Sequence, residues 1–367
     1  MSRPATLIPW DTNGTNSTQP PSGHQTDGWS LGGTAVSAYD NYMKAAFCDW
    51  IEYLQKTAVL VELSHWNEVL DPSVPVFALD VQYTGTPLWI ACDSNGDIHY
   101  SDDYGDSWTT VSSVHAESLY AICRSAYSGK WYTGGQRALG GTNPGLYYSS
   151  DGVSWSTALS LPQASYIRGI CEMAAGNMCV VGRHAPSGTA PMIYTGALTS
   201  WTARTPGGSF GTYLYDVAYG ASTVIAVGQT GQIQRSTDEG ASWSVISPAG
   251  SYSGIFHGVA YDGTGTWVAV GESGEIQYST DNGLTWTSTN PSGGYTGDFY
   301  AVKFGGGLFI AAGDTGELQV SEDGITWHRR LTGTTENFRG IGVNISTGHT
   351  MAGSFAGPTF SSLGNFR

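Results

Sequence analysis

Charged residues are scarce in this sequence. Only 12% of its 367 residues are Asp, Glu, Lys or Arg, whereas about 25% is usual in soluble domains. Lysine and arginine together number 15 against 30 acidic residues, which gives a formal net charge of −15 at pH 7. A phosphate-binding surface needs clustered basic side chains, and the basic residues are scattered along the chain. The composition therefore predicts no binding of nucleic acid.

Long apolar runs and cysteine clusters are also lacking. No stretch of eighteen apolar residues occurs, which argues against a membrane-spanning helix, and the N-terminus carries no apolar signal-peptide segment. The five cysteines show no Cys-x-x-Cys spacing, and Cys92, Cys123, Cys171 and Cys179 lie in apolar, strand-like runs. Buried free thiols are expected rather than disulfides or metal ligands. We therefore expect no cofactor, no metal, no membrane insertion, and folding in the cytoplasm.

Glycine and proline are missing between residues 34 and 71, the longest such gap in the chain. Apolar side chains recur there at helical spacing. This pattern predicts an amphipathic helix over residues 34–63, preceded by an extended arm rich in Pro, Gly and Asn over residues 1–33. The helix either packs on the rest of its own chain or associates with copies of itself. The residues expected to make such a contact are Tyr39, Tyr42, Met43, Phe47, Trp50, Ile51 and Leu54.

The remainder of the chain is repetitive. The string Ser-x-Asp-x-Gly-x-Ser/Thr-Trp stands at residues 101–108, 236–243 and 279–286, and versions one residue shorter stand at 149–155 and 321–327. A worn copy at 195–201 keeps the final Trp but has lost the Asp. The six tryptophans are 41 to 47 residues apart, a period typical of repeat architectures. The aspartates, which can close a turn through backbone N–H groups, are Asp103, Asp151, Asp238, Asp281 and Asp323.

This string resembles the Asp-box, or BNR, repeat, which marks the turn between the third and fourth strands of a β-propeller blade. The resemblance implies a structural role for the aspartates. Aligning the copies gives six complete four-strand units and a seventh that begins at Arg339 and ends before its fourth strand, and residues 65–69 match the start of that missing strand. We therefore predict an all-β, seven-bladed propeller over residues 64–367, closed by pairing of the N- and C-terminal strands.

Function is expected on the propeller face opposite these turns, around the channel mouth. The residues that open the first strands should form a ring there. Aromatic rings with two guanidinium groups and an imidazole suit a sugar or an anionic group, although the same side chains could simply pack the channel rim. The predicted ring consists of Phe77, Tyr120, Arg168, Tyr215, His257, Tyr300 and Arg339.

The loops on this face add further candidates. They are rich in Tyr, Ser and Gly, the composition of adaptable recognition loops. Two second-to-third turns are lengthened, at residues 136–144 and 183–188. Insertions on one face of a repeat protein often mark its binding side, and tolerated drift would look the same. The loop candidates are Arg137, Arg183, His184, Tyr252 and Tyr295.

Glycoside hydrolysis is the catalytic alternative. Asp-box propellers include sialidases, and membership would imply a Tyr/Phe-Arg-Ile-Pro string that this sequence lacks. A glycosidase needs two carboxylates flanking one bond. Asp80 and Asp216 lie nearest the starts of first strands, and Glu117 and Asp298 lie in loops. No acid pair stands out at a defined spacing, so we predict a protein without catalytic activity.

The N-terminal residues resemble another family. Trp10-Asp11, Asp27-Gly28-Trp29 and the helix from Asn41 to the Trp-Ile-Glu-Tyr-Leu end at 50–54 are similar to the anchoring segments of tailed-phage fibres and related tail proteins. The resemblance covers about fifty residues. It implies attachment to other tail or baseplate proteins through residues 1–62, in a homo-oligomer with a trimer favoured.

Together these features predict a structural or adhesion protein of a phage tail or phage-like injection particle, located in the virion tail or extracellular particle. Its propeller would bind a host-surface glycan or protein, with multiple copies compensating for weak individual contacts. One alternative is a carbohydrate-active enzyme with acids at the channel mouth. Another is an internal scaffold that uses the propeller only for protein–protein contacts.

Overall fold

A computed structural model describes residues 66–70, 75–81, 88–136, 145–157, 161, 164–184, 191–197, 200–208, 213–344, 350–354 and 359–362. The predicted arm at 1–33, the predicted helix at 34–63 with its contact residues, and Arg137 lie outside these ranges. Within them the regular elements are β-strands and short 3₁₀ turns, so the expected all-β class is confirmed for this part of the chain. None of the described helices is long and apolar enough to cross a membrane.

Six antiparallel sheets are each built from four consecutive strands. The first sheet contains β2 (Val76–Val81), β3 (Trp89–Asp93), β4 (Ile98–Ser101) and β5 (Thr109–Val111). The second contains β6 (Leu119–Arg124), β7 (Trp131–Gly135), β8 (Leu146–Ser149) and β9 (Trp155–Thr157). The third contains β10 (Ala164–Glu172), β11 (Met178–His184), β12 (Pro191–Ala197) and β13 (Ser200–Arg204).

The next three sheets repeat this plan. The fourth contains β14 (Leu214–Gly220), β15 (Thr223–Gly228), β16 (Ile233–Ser236) and β17 (Ser244–Ile246). The fifth contains β18 (Phe256–Tyr261), β19 (Trp267–Gly271), β20 (Ile276–Ser279) and β21 (Thr287–Thr289). The sixth contains β22 (Phe299–Gly305), β23 (Leu308–Gly313), β24 (Leu318–Ser321) and β25 (His328–Arg330). Single 3₁₀ turns lie at Ala174–Gly176, Gln229–Gly231, Ala249–Ser251, Glu272–Gly274, Ser292–Gly294 and Asp314–Gly316.

A seventh four-stranded sheet joins the two ends of the described chain. It contains β26 (Phe338–Val343), β27 (Thr350–Ser354), β28 (Thr359–Ser362) and β1 (Trp66–Leu70). The order is β1–β28–β27–β26, and the antiparallel register places Trp66 opposite Ser362. Strand β26 packs against both β22 and β2. The seven sheets therefore form a closed ring around a central channel, with the first strand of each sheet innermost.

The core lies between neighbouring sheets, where the second strands are buried along their length in β3, β15 and β19. The inner strands come so close together that small residues are needed between them. A Cβ added to Gly340 would lie 2.9 Å from Cα of Ala78, and one added to Gly169 would lie 2.8 Å from Cα of Asp216. These contacts explain why glycine recurs inside inner strands, where it is otherwise unfavourable.

The repeated aspartate strings form the turns from third to fourth strands, and we call the five with an aspartate the Asp turns. In one of them Oδ1 of Asp281 accepts the backbone N–H of Thr285 at 2.9 Å, and Oδ2 accepts the Thr285 hydroxyl at 2.6 Å. Gly283 has a φ of +76°, and its Cα faces Ile225 of the preceding sheet so closely that an added Cβ would be 2.6 Å away. The hydroxyl and backbone N–H of Ser242 similarly lower the pKa of Asp238 to about 2. The aspartates are therefore engaged in turn geometry.

Candidate functional site at the channel mouth

Every inner strand carries a β-bulge near its mouth end. In the first sheet Val76 pairs with Asp93 and Ala78 with Cys92, so Phe77 is the extra residue. The same shift occurs in the other six sheets. A bulge interrupts the alternation of side chains between the two faces of the sheet and so changes the direction of the extra side chain. The seven extra residues are those predicted from the sequence as the mouth ring: Phe77, Tyr120, Arg168, Tyr215, His257, Tyr300 and Arg339.

The residue before each bulge anchors the strand. These residues are apolar and have 0% solvent exposure. Each bulged residue therefore comes directly after a side chain that is buried in the core. The anchoring residues are Val76, Leu119, Ile167, Leu214, Phe256, Phe299 and Phe338. All seven bulged residues then line one cavity of about 170 Å³ at the channel mouth.

Within the mouth ring, side chains from successive sheets contact one another. The rings of Phe77 and Tyr120 have centroids 5.1 Å apart. The guanidinium carbon of Arg168 lies 3.9 Å from the Tyr120 centroid and 5.6 Å from that of Tyr215. These distances are typical of aromatic and cation–π contacts, so this side of the mouth is a continuous stack.

The other side of the ring continues the stack. His257 lies between Tyr215 and Tyr300, with centroid distances of 5.2 Å to each. The guanidinium carbon of Arg339 lies 3.4 Å from the Tyr300 centroid. Burial, together with the positive charges of Arg339 and Arg168, lowers the pKa of His257 to about 4. The imidazole is therefore neutral at pH 7, and the positive charges of the ring are those of the two arginines.

A ring of four-stranded antiparallel sheets around a channel also occurs in solved structures. YCF48 from Cyanidioschyzon merolae is similar with a TM-score of 0.61 and 16% identity, over 81% of this chain and 98% of that one. A structure of YCF48 bound to D1 peptide is similar with a TM-score of 0.62 and 16% identity, over 82% of this chain and 95% of that one. The WD40 repeats of RRP9 are similar with a TM-score of 0.63 and 7% identity, over 81% of this chain and 97% of that one. The chain is a β-propeller. No family model and no curated protein matches it.

Arg183 lies beside the propeller's mouth rather than in the ring. It is on β11, directly opposite Tyr166 of β10. Its guanidinium carbon is 3.6 Å from the Tyr166 centroid and 4.7 Å from that of Tyr213, and Nη1 donates a hydrogen bond of 2.7 Å to the Tyr213 hydroxyl. Arg168 is on the same pair of strands. Two of the arginines that are scattered in the sequence are thus brought together by the fold.

The remaining described loop candidates have structural contacts. The Tyr252 hydroxyl donates to the carbonyl of Ile255 at 3.0 Å, and the Tyr295 hydroxyl donates to the carbonyl of Asp298 at 3.1 Å. Both rings pack on the phenylalanine that precedes the bulge of their sheet. The ring of His184 lies 6.1 Å from that of Tyr194. These contacts hold the mouth loops in place, and none of the three side chains lines the mouth cavity.

The acids considered as catalytic candidates are also placed by the structure. Oδ2 of Asp216 accepts the backbone N–H of Val259 at 3.0 Å, and Oδ2 of Asp80 accepts that of Arg124 at 2.9 Å. Each carboxylate therefore bridges its inner strand to that of the next sheet. Asp216 lines the mouth cavity, whereas Asp80 lines a second cavity deeper in the channel. Asp298 accepts the backbone N–H of Ser273, and Glu117 lines neither cavity.

Sequence reasoning missed a second ring, three residues beyond the first in every inner strand. These residues line the deeper cavity of about 260 Å³. Lys303 borders both cavities, and although burial lowers the pKa of its amine, the carboxylates of Asp216 and Asp80 raise it overall above its usual value. The same period that located the first ring could have located this one. Its members are Asp80, Cys123, Cys171, Ala218, Ala260, Lys303 and Gly342.

The described residues contain no group of three or more His, Cys, Asp or Glu side chains arranged to hold a metal ion. Cys171 and Cys179 face each other across β10 and β11 as free thiols. Burial raises the pKa of the Cys123 thiol to about 12, so this channel-lining cysteine stays protonated and unreactive at neutral pH.

Proposed function

We propose that this propeller is a non-catalytic recognition module that binds a protein partner at its channel mouth. The observation that carries the proposal is the convergence of seven bulged side chains, one from each sheet, on a single concave surface. Tyrosine and arginine are, with tryptophan, the residue types most enriched where binding energy concentrates in protein interfaces. Here they are already held in place by contacts with one another, which lowers the entropic cost of binding.

Two further facts support recognition of a protein. The solved structure of YCF48 bound to D1 peptide has the same fold and carries a peptide ligand. The mouth loops of this chain are fixed by the hydroxyls of Tyr252 and Tyr295. A partner would therefore meet a largely preformed surface, as in many pre-organised complexes.

The proposal of no catalysis draws on the engagement of the acids. Both oxygens of Asp216 accept backbone N–H groups, from Val217 at 2.8 Å and from Val259 at 3.0 Å. Asp80 is engaged in the same way with Val81 and Arg124. Carboxylates that bridge inner strands are poorly available as a proton donor and nucleophile pair. Turnover of a fluorogenic glycoside that vanished in Asp216→Asn would contradict this part of the proposal.

A finer assignment extends the proposal. We assign the propeller seven blades of the Asp-box class, counting the split sheet of β1 with β26–β28, and we propose anchoring to a phage tail or phage-like particle through residues 1–62. Support comes from the resemblance of residues 10–54 to tail proteins.

The test is a selection for mouth-binding peptides. A displayed random-peptide library is panned on the full chain, and dissociation constants of the selected peptides are measured by fluorescence anisotropy. We expect Tyr215→Ala to weaken binding by about tenfold or more, as for an interface anchor. The matched control is Leu284→Ala, which removes a side chain 55% exposed in an Asp turn and should leave binding unchanged. Peptides insensitive to Tyr215→Ala, or lost with Leu284→Ala, would refute the proposed site.

A further inference from the structure

We propose that the partner segment is an acidic peptide held by Arg168 and Arg183, which form a guanidinium pair on one side of the channel mouth. The inference rests on the proposed function and adds to it the charge of the partner and the part of the mouth that recognises it. The two residues lie on paired strands of the third sheet, β10 and β11. The two charges act on each other: burial lowers the pKa of Arg168, and the positive charge of Arg183 lowers it further.

Within the described ranges, no carboxylate lies within ion-pair distance of either guanidinium. The groups that surround Arg168 electrostatically are Tyr120, Tyr215, Tyr166 and Arg183. A largely buried cation without an acidic partner is costly, and the protein as a whole carries a net charge of −15. The local excess of positive charge is therefore a specific feature of this part of the mouth.

Both guanidinium groups lie over tyrosine rings, Arg168 over Tyr120 and Tyr215, and Arg183 over Tyr166 and Tyr213. Stacking occupies the faces of a guanidinium and leaves the N–H groups at its edge available for a planar, bidentate carboxylate. Among the described residues, Arg183 donates a hydrogen bond from Nη1 to the Tyr213 hydroxyl. The remaining donors of the pair can meet two acidic side chains of one extended segment.

Two acids near the mouth lie on sheets other than the third. Asp216 of the fourth sheet lines the cavity, and Asp298 lies in the loop that precedes β22 of the sixth sheet. An acidic ligand is repelled there and attracted to the third sheet. Neutral His257 adds no charge at pH 7. The partner's acidic groups should therefore dock off the channel axis, over β10 and β11, with its other side chains over the aromatic part of the mouth ring.

The test uses a fluorescein-labelled peptide of alternating Gly and Asp or Glu, and its analogue with Asn and Gln, titrated with the full chain in low salt. The acidic peptide should bind and the amide analogue should not. Arg168→Gln and Arg183→Gln should each weaken binding by about tenfold or more, since each removes a charge-assisted bidentate contact. Arg168→Lys should recover part of this loss. Lys130→Gln, which removes a cation stacked on Tyr148 in another sheet, is the matched control and should have no effect.

The outcomes separate this inference from the proposed function. Equal binding of the amide analogue, or acidic binding unchanged in both arginine variants, would overturn the inference. Arginine-dependent binding of a sulfated oligosaccharide without binding of the peptide would overturn it as well. If the selected peptides need Tyr215 but neither arginine for binding, the mouth remains the recognition surface. In that case only the proposal of an acidic partner is refuted. Thermal unfolding checks each variant, and Arg183→Gln alone decides the result if Arg168→Gln does not fold.

Discussion

At the scale of single residues, the mouth ring combines aromatic stacking with the positive charges of Arg168 and Arg339. His257 shows the consequence most clearly, because it is packed between two tyrosines while two guanidinium groups act on it. Its pKa is lowered to about 4, mainly by burial and further by the positive charges of Arg339 and Arg168. The unfolded chain has a histidine pKa of about 6.5. His257 is therefore expected to favour unfolding as the pH falls from about 6.5 to about 4, because the unfolded state then binds the extra proton.

A titration of the histidine ring protons by NMR tests this environment. The resonance of His257, assigned by its loss in His257→Gln, should stay in the neutral form down to about pH 5 and titrate near pH 4. Arg339→Gln should raise the midpoint, since Arg339 has a larger effect than Arg168 in lowering this pKa, while Asp298 raises it. His328 on the exposed outer strand β25 provides an internal comparison. A wild-type midpoint near 6.5 would contradict the packing described for the mouth ring.

At the scale of elements, the inner strands and their bulges position the site. The sequence predicted the mouth residues because each opens the first strand of a unit that the repeated turns delimit. It did not predict the bulges, since an extra residue becomes visible only when the register with the second strand is known, as between Val76 and Ala78. It also did not predict that Arg168 and Arg183 come close together. They are fifteen positions apart in the chain but lie on adjacent strands. Loop composition predicts Tyr252 and Tyr295 as binding residues, which stays a prediction, and the structure adds that their hydroxyls donate to the carbonyls of Ile255 and Asp298.

The convergence of inner strands gives a prediction at this scale. Gly340→Ala places a Cβ 2.9 Å from Cα of Ala78 and 3.0 Å from the carbonyl oxygen of Phe77. Both neighbours are backbone atoms, so a strand has to move, and we expect a loss of about 1–3 kcal/mol in the free energy of unfolding. Gly333→Asn is the control, because Gly333 has a φ of +76° and open space around it, which Asn tolerates. Equal urea midpoints for both variants would show that the strands are less tightly packed.

At the scale of the whole molecule, the closed ring depends on the sheet formed from both ends of the described chain. The placement of residues 66–69 beside the C-terminal strands could be predicted, because they matched the start of a missing fourth strand and now lie in β1. The contacts that hold the mouth loops and the shape of the cavity could not, since both arise where separate sheets meet. The role of residues 1–62 stays a prediction, because those residues lie outside the described ranges.

Two truncations test the closure. Removing residues 355–367 deletes β28, which pairs with both β1 and β27. The exposed edges should lower the melting temperature and promote aggregation in size-exclusion chromatography. Removing residues 1–62 leaves all seven sheets intact and should keep the melting temperature. If that segment also assembles the protein, its loss should convert an oligomer to a monomer. A stable monomer with the segment present would count against its proposed role in assembly.

The central claim is that the channel mouth, and not the face with the Asp turns, is where a partner binds. Photo-crosslinking tests it most directly, with p-benzoylphenylalanine placed at Tyr215 in one protein and at Leu284 in another. Each is irradiated with a peptide selected on the wild-type chain, and the crosslinked peptide is mapped by mass spectrometry. We expect a crosslink from position 215 and none from position 284. A crosslink from 284 with none from 215 would contradict it.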